Sequence, residues 1–438
     1  MDVHPSISAA DTAWLMVSTA LVLLMTPALA LFYGGLVRAK NALNTMMMSF
    51  AAFAVAGLSW VVVGYTLAFS GDGRWLGNLD HLLLQGVGLE PSGSVPHLLF
   101  MGFQGTFAVI TAALISGALV ERMRFPTYLL FIGLWVPLVY APLCHWVWGG
   151  GWLAELGALD FAGGTVVHIN AAAAALVATL MLGKRRDYGR QALLPHNVPL
   201  VLLGAGLLWV GWFGFNAGSA LGANSSAALA FVNTLLAPMA TLGVWMVLDH
   251  LRTGRITAVG AATGIVVGLV AITPAAGFVG PMAALAIGAV AAVPSHWAIL
   301  ARSRMRVDDS LDVVAAHGLG GFTGALLTGV LARAAWGGVD GLLAGDPVLV
   351  LRQVAAICAA IGFSALATGG LLWAIALIVP LRAGEPAERT GLDVPLHGEE
   401  AYTSGEGAIL VRPRPRRDRA PAAAGARTGL EPAVGGGR

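Results

Sequence analysis

Apolar residues arrive in this chain as uninterrupted runs, such as AWLMVSTALVLLMTPALALF from Ala13 to Phe32. An α-helix needs about 20 such residues to cross roughly 30 Å of hydrocarbon, whereas a membrane β-strand needs about ten and alternates in polarity. The runs therefore demand membrane-spanning helices and exclude a β-barrel. Composition agrees: 57% of the 438 residues are hydrophobic and 11% are charged, outside the range of a soluble globular chain.

Reading the runs between polar breaks predicts eleven spans, near residues 12–33, 43–69, 98–120, 126–144, 163–183, 197–219, 226–249, 257–275, 278–299, 311–332 and 349–381. The breaks sort by charge. Arg38 and Lys40, Arg122 and Arg124, Lys184 to Arg190, Arg252 and Arg255, and Arg302 to Arg306 fall in alternate connections; the others hold only Arg74 and Arg333, with Arg352 at the mouth of the last span. Basic residues stay on the cytoplasmic side, so the N-terminus is expected outside and the C-terminal tail inside. A cleavable leader is the other reading of the first run, because Ala28-Leu29-Ala30 resembles a cleavage site. Residues 1–20 carry no Lys or Arg, however, and the run is read as a retained span. Cys144 and Cys358 suggest neither a disulfide framework nor a metal site.

The fold class expected is an all-α integral membrane protein with its membrane domain over residues 1–382. Residues 383–410 read as a short ordered cytoplasmic segment. Residues 411–438, with Arg-Pro-Arg-Pro-Arg-Arg among Ala and Gly, read as a disordered extension whose charge faces anionic lipid rather than nucleic acid.

Two segments repeat a pattern. Asp160 precedes His168 by eight residues at the start of the fifth span, and Asp309 precedes His317 by eight at the start of the tenth. Spans five apart run in opposite directions, which is the mark of an inverted repeat with halves near 12–190 and 197–333 and an extra helix near 349–381. The two histidines can then meet near the midplane. An ionisable group at that depth costs on the order of 3 kcal/mol when charged and usually faces a cavity. The bland alternative is a neutral histidine bonded between packed helices. Neither helix offers further ligands for a metal. Eight residues of continuous helix rise about 12 Å, so the aspartates are expected to cap helix N-termini rather than touch the histidines.

Phe103 and Phe107 share one helix face, as do Trp212, Phe215 and Ser219. With Trp148, placed in the loop after the fourth span, Phe107, Phe215 and Ser219 can converge at the outer entrance. Ring faces beside a hydroxyl suit a small cation at roughly 0.5–2 kcal/mol per contact; an interfacial aromatic belt explains the same composition equally well.

The segments FYGGLVRAKN (32–41), FQGTFA (103–108), HWVWGGG (145–151), ALDFAGGTVVHINAA (158–172), GWFGFNAGSA (211–220), AFVNT (230–234), RVDDSLDVVAAHG (306–318) and GLDVPLHGEEAY (391–402) resemble, in order, the signature segments of the ammonium transporter (Amt/Mep/Rh) family, and its bacterial Amt branch more than the Rh branch. The resemblance implies a homotrimer in the cell (inner) membrane with one narrow pore per subunit. It implies that Phe107, Trp148 and Ser219 recruit ammonium with support from Asp160, that Phe107 and Phe215 gate the path, and that His168, His317 and Trp212 line it. Phe32, Tyr33 and Val313 would lie toward the cytoplasmic exit. Gly391, Leu392, Asp393, His397, Gly398 and Glu399 would belong to a regulatory tail able to engage a PII-type signalling protein. Pro395 stands where some relatives carry a phosphorylatable threonine, which puts that control in doubt.

On this reading the cation loses its proton at the mouth and crosses as ammonia, while the proton passes separately by the histidine pair. No cofactor or metal is implied. A gas channel and an ammonium sensor are the nearest rivals. A potassium channel lacks its carbonyl filter sequence here, the Thr-Pro-Ala triplets at 26–28 and 273–275 lack the asparagine of a water channel, and no nucleotide loop or nucleophile suggests an enzyme.

Overall fold

The computed structural model describes residues 6–302, 305 and 307–402. The extension expected over 411–438, and the end of the 383–410 segment, lie outside the described residues.

Among the described residues, ten helices are long and apolar enough to cross a membrane: α1 (Ala9–Leu36), α2 (Ala39–Phe69), α3 (His97–Leu119), α4 (Phe125–Leu156, interrupted at the glycines 149–151), α5 (Gly164–Leu182), α6 (Val198–Gly218), α7 (Ser225–Thr253), α9 (Pro281–Arg302), α10 (Val314–Leu331) and α11 (Val348–Ala376). Between α7 and α9 lies α8 (Ala258–Ile272), whose 15 residues span about 22 Å, shorter than the hydrocarbon layer. Two short helices, α12 (Glu385–Thr390) and α13 (Asp393–His397), close the described chain. The β-structure among the described residues is a two-stranded ribbon, Pro91–Ser92 against Val95–Pro96, before α3, and a single bridge between Met123 and Arg382.

Helix starts follow the local chemistry. Ser8, Asn197, Asn224 and Thr257 each accept a backbone N–H in the first turn of α1, α6, α7 and α8. Within the layer the helices approach through small residues, since lipid tails supply no hydrophobic drive between apolar faces. The α1–α6 contact shows the need: a Cβ on Gly204 would strike the backbone of Phe32.

Packing repeats along the chain. The pairs α1–α2, α1–α3, α2–α3, α2–α4 and α3–α5 recur as α6–α7, α6–α8, α7–α8, α7–α9 and α8–α10, while α11 lies against α5, α10 and α4. At the tail end, buried ion pairs tie the connections together. Arg122 and Arg185 both hold Asp308, at 2.9 and 2.8 Å, and Arg185 and Arg38 both hold Glu121, at 3.1 and 3.0 Å. These residues come from the α1–α2, α3–α4, α5–α6 and α9–α10 connections.

Candidate functional site

Both histidine helices begin with a π-helical stretch, Gly164–Ile169 in α5 and Val314–Leu319 in α10. The wider turn is common where a helix serves a site. The structure differs here from the continuous helix expected from sequence, because residues 160–163 precede helical geometry and Gly163 turns with φ 117°. That turn folds the Asp160 carboxylate back over the helix end. Its Oδ1 accepts from the amides of Gly163 and Gly164 at 2.9 and 2.6 Å, and its Oδ2 from Thr165 and Val166 at 2.8 and 3.0 Å. Burial pushes this carboxyl above the usual carboxylate range, and the four amides pull against that rise by stabilising the anion. Asp309 does the same for α10, accepting from Val313 and Val314 at 3.1 and 2.7 Å.

The histidines meet. His168 Nδ1 and His317 Nδ1 lie 3.2 Å apart, and the rings stack at 5.3 Å. One nitrogen of the pair donates and the other accepts, so neutral rings must take opposite tautomers. His168 Nε2 is buried without a partner. The His168 residue lines a chamber walled also by Met25, Leu29, Phe32, Ile110, Leu114, Val167, Leu208, Trp212, Phe215, Val266 and His317, with about 10 Å³ of free volume. That is roughly room for one water-sized molecule. An unbonded buried nitrogen beside such a space is an acceptor or donor waiting for a small guest.

A ring column leads into the chamber. Phe107 lies on Phe215 with centroids at 4.3 Å, Phe215 is 5.9 Å from His168, and Trp212 stacks on His168 at 5.4 Å. The Trp212 indole N–H is held by Thr273 Oγ1 at 2.9 Å. Phe107 and Phe215 are fully buried, so the column closes the path between the chamber and a second, open cavity of about 270 Å³. That cavity is lined by Phe69, Phe100, Gln104, Phe107, Val147, Trp148, Phe161, Ser219 and Leu221. Trp148 stands perpendicular to Phe107 at 5.8 Å and donates to the Asp160 carbonyl at 2.9 Å. It is the last helical residue before the break at the glycines 149–151 in α4, not a loop residue as expected from sequence, because the helix runs on past residue 144, where the span was expected to end. Ser219 Oγ donates to Phe215 O at 2.8 Å, which leaves its lone pairs toward the cavity.

The family model described as the Ammonium Transporter Family matches residues 13–402. The chain belongs to that family. It is 52% identical over 397 residues to an ammonium transporter of Aquifex aeolicus, covering 90% of this chain and 93% of that one. An ammonium transporter of Bacillus subtilis is 47% identical over 398 residues, covering 90% and 98%. The crystal structure of Candida albicans Mep2 superposes with a TM-score of 0.83 at 37% identity, covering 87% of each chain. With family and apolar helices together, the chain is a multi-pass membrane protein.

The remaining family positions divide by place. Phe32 walls the chamber, while Tyr33 and Val313 sit beyond it, both against the Gly117 backbone, with the Tyr33 hydroxyl bonded to Leu114 O at 3.2 Å. The tail residues gather on the start of α2 and the α3–α4 connection. Asp393 accepts from the amides of Leu43 and Asn44 at 3.1 and 2.8 Å, Leu392 N donates to Asn41 Oδ1 at 2.8 Å, and His397 packs on Phe125 at 4.7 Å. Gly391 (φ 104°) crosses Lys40 where a Cβ would strike its carbonyl, and Gly398 (φ 73°) ends α13. Glu399 is exposed and only its charge reaches His397. Sequence reasoning passed over Gln104, a buried amide in an apolar span whose Oε1 has no partner and which lines the open cavity; its polarity between Phe103 and Phe107 was the available signal. It also passed over the aliphatic chamber wall, for which spacing offers no signal.

Proposed function

We propose that this chain is an ammonium transporter in the cell (inner) membrane, a homotrimer with one pore per subunit. Eleven crossings in two inverted halves, over about 12–190 and 197–333, put the N-terminus outside and the tail in the cytoplasm; α8 completes its crossing with the residues that follow it. The recurrence of helix pairings and the alternation of basic connections support this arrangement.

The ammonium cation enters the open cavity, where the Trp148 and Phe107 rings and the Ser219 lone pairs hold it and the Asp160 charge favours it from behind. Its proton leaves, and neutral ammonia passes the Phe107–Phe215 gate into the dry chamber. There the tautomers of His168 and His317 offer one acceptor and one donor at Nε2, a match for ammonia, which has both. The proton crosses separately by way of the pair, and the cation reforms beyond Tyr33 and Val313. Potassium carries the same charge but no proton to give and no hydrogen bond to donate. The tail on α2 serves as the docking and control surface for a PII-type protein.

The single observation that carries this reading is the unpartnered His168 Nε2 in a chamber the size of one small molecule, behind a closed ring gate. The test is a current measurement on proteoliposomes adsorbed to a supported membrane. An ammonium jump is expected to give a current and a potassium jump none. Silence with ammonium, with ammonia flux intact, establishes a neutral gas channel instead; binding without either establishes a sensor.

A further inference from the structure

We propose that His81 and His97 form a binding site for a borderline transition-metal cation, zinc being the probe, beside the open cavity. The two residues lie in the α2–α3 connection and at the first position of α3, and neither belongs to the ring column or the chamber. Their rings meet edge to face at 5.1 Å with planes at 78°.

His81 is set up as a ligand. Its backbone N–H donates to Thr66 Oγ1 at 3.0 Å, and its Nδ1 lies 2.9 Å from the carbonyl of Gln85. A carbonyl only accepts, so Nδ1 carries the hydrogen and Nε2 keeps its lone pair. A backbone carbonyl on the far nitrogen is the arrangement that orients metal-bound histidines. The loop that supplies this carbonyl is wound against preference: Leu83 and Leu84 adopt φ 55° and 59°, a left-handed conformation in two branched residues. His97 Nε2 contacts the Tyr65 hydroxyl at 2.5 Å. A turn of the His97 ring exchanges that hydroxyl for a cation shared with His81 Nε2. Imidazole pairs suit zinc, copper and nickel. Among the described residues no group of three His, Cys, Asp or Glu side chains gathers to hold a metal, so water fills the other positions and the ion exchanges readily.

The site touches the cavity wall. Tyr65 lies 5.7 Å from Phe69, Phe69 lies 5.1 Å from Phe100, and both phenylalanines line the cavity. A bound cation adds positive charge behind that wall and draws His97 away from Tyr65. Slowing of ammonium entry follows, and this second effect rests on the transport reading, whereas the binding itself does not.

The experiment titrates zinc against a chromophoric indicator with tag-free, full-length protein in detergent. The expected result is one site per chain, weakened about tenfold or more in His81→Gln and in His97→Gln, unchanged in the exposed His250→Gln, and released on acidification as protons compete for the imidazole nitrogens. X-ray absorption of the zinc complex reads two imidazole nitrogens in the wild type, which keeps the assignment testable where a variant folds poorly. Equal affinity in wild type and the His81→Gln/His97→Gln double variant, or a spectrum without imidazole, overturns the site. With binding intact, an ammonium current indifferent to zinc overturns the coupling to the cavity.

Discussion

At the scale of single residues, the two histidines and Asp160 carry different burdens. The Nδ1–Nδ1 contact at 3.2 Å requires one shared hydrogen, so replacing both rings by apolar ones removes the proposed relay while filling much of its volume. The His168→Phe/His317→Phe variant is expected to keep its oligomeric state and to lose ammonium-dependent current by on the order of 100-fold, the usual scale for a positioned proton-transfer group; a normal current in that variant refutes the relay. Asp160 is structural as well as electrostatic, because four amides depend on it. Asp160→Ala leaves them buried and unbonded, at a cost of about 1–3 kcal/mol for each group that water does not reach. Asp160→Asn keeps one acceptor oxygen. The alanine variant should melt well below the asparagine variant in detergent, and similar melting temperatures would show that the amides find other partners. The capping role was legible from the repeated Asp-to-His spacing, since first-turn amides lie at fixed offsets from a residue just before a helix. The number of amides per carboxylate was not, because it depends on the positive φ of Gly163.

At the scale of elements, the start of α10 stores a titration. Asp312 sits at φ 60° and pairs with Arg302 at 2.5 Å, and burial pushes its carboxyl up to about 7 against the pull of that guanidinium. An unfolded chain releases this proton near pH 4. Between about pH 4 and pH 7 the folded state therefore binds the extra proton, and stability contributed by this group declines as pH rises through that window. Asp312→Asn is expected to flatten the fall in melting temperature over the window, and asparagine also tolerates the left-handed backbone better. An unchanged pH profile would mean that Asp312 is ionised throughout. Helix existence and order were readable from run length, but the π-helical openings of α5 and α10 and the helical placement of Trp148 were not. Hydropathy reports how apolar a turn is and says nothing of whether it closes over four residues or five.

At the scale of the molecule, the ion pairs at the tail end join connections far apart in sequence. Arg122 is fully buried, bonds Asp308 at 2.9 Å, and has its guanidinium pushed down to about 10 by burial, with the Asp308 charge pulling the other way. Burial also works against ionisation of Asp308, but the Arg185 hydrogen bond and the two guanidinium charges hold its carboxyl below the usual range. Arg122→Met removes one of the two guanidinium partners of Asp308 and leaves Arg185 as the other, and losing hydrogen bonds to a charged group costs about 1.5–3 kcal/mol. The expected outcome is a clear loss of thermal stability in Arg122→Met and a further loss in Arg122→Met/Asp308→Asn, which also takes the carboxylate from Arg185; an unaltered melting temperature would place the pair in water.

Length and spacing in the sequence alone determined that the chain is built of membrane helices, that basic connections alternate, and that two aspartate–histidine segments correspond. Those features are local or periodic, and a bilayer of fixed thickness reads them directly. Tertiary structure decided what the segments make together: the contact between His168 and His317, the chamber of about 10 Å³ that both line, the unbonded nitrogen of His168, and the ring pair beside it. A chamber of that size is defined by how far apart helices stand, and this distance is set by which small residues meet across each contact. No single stretch of sequence contains that information.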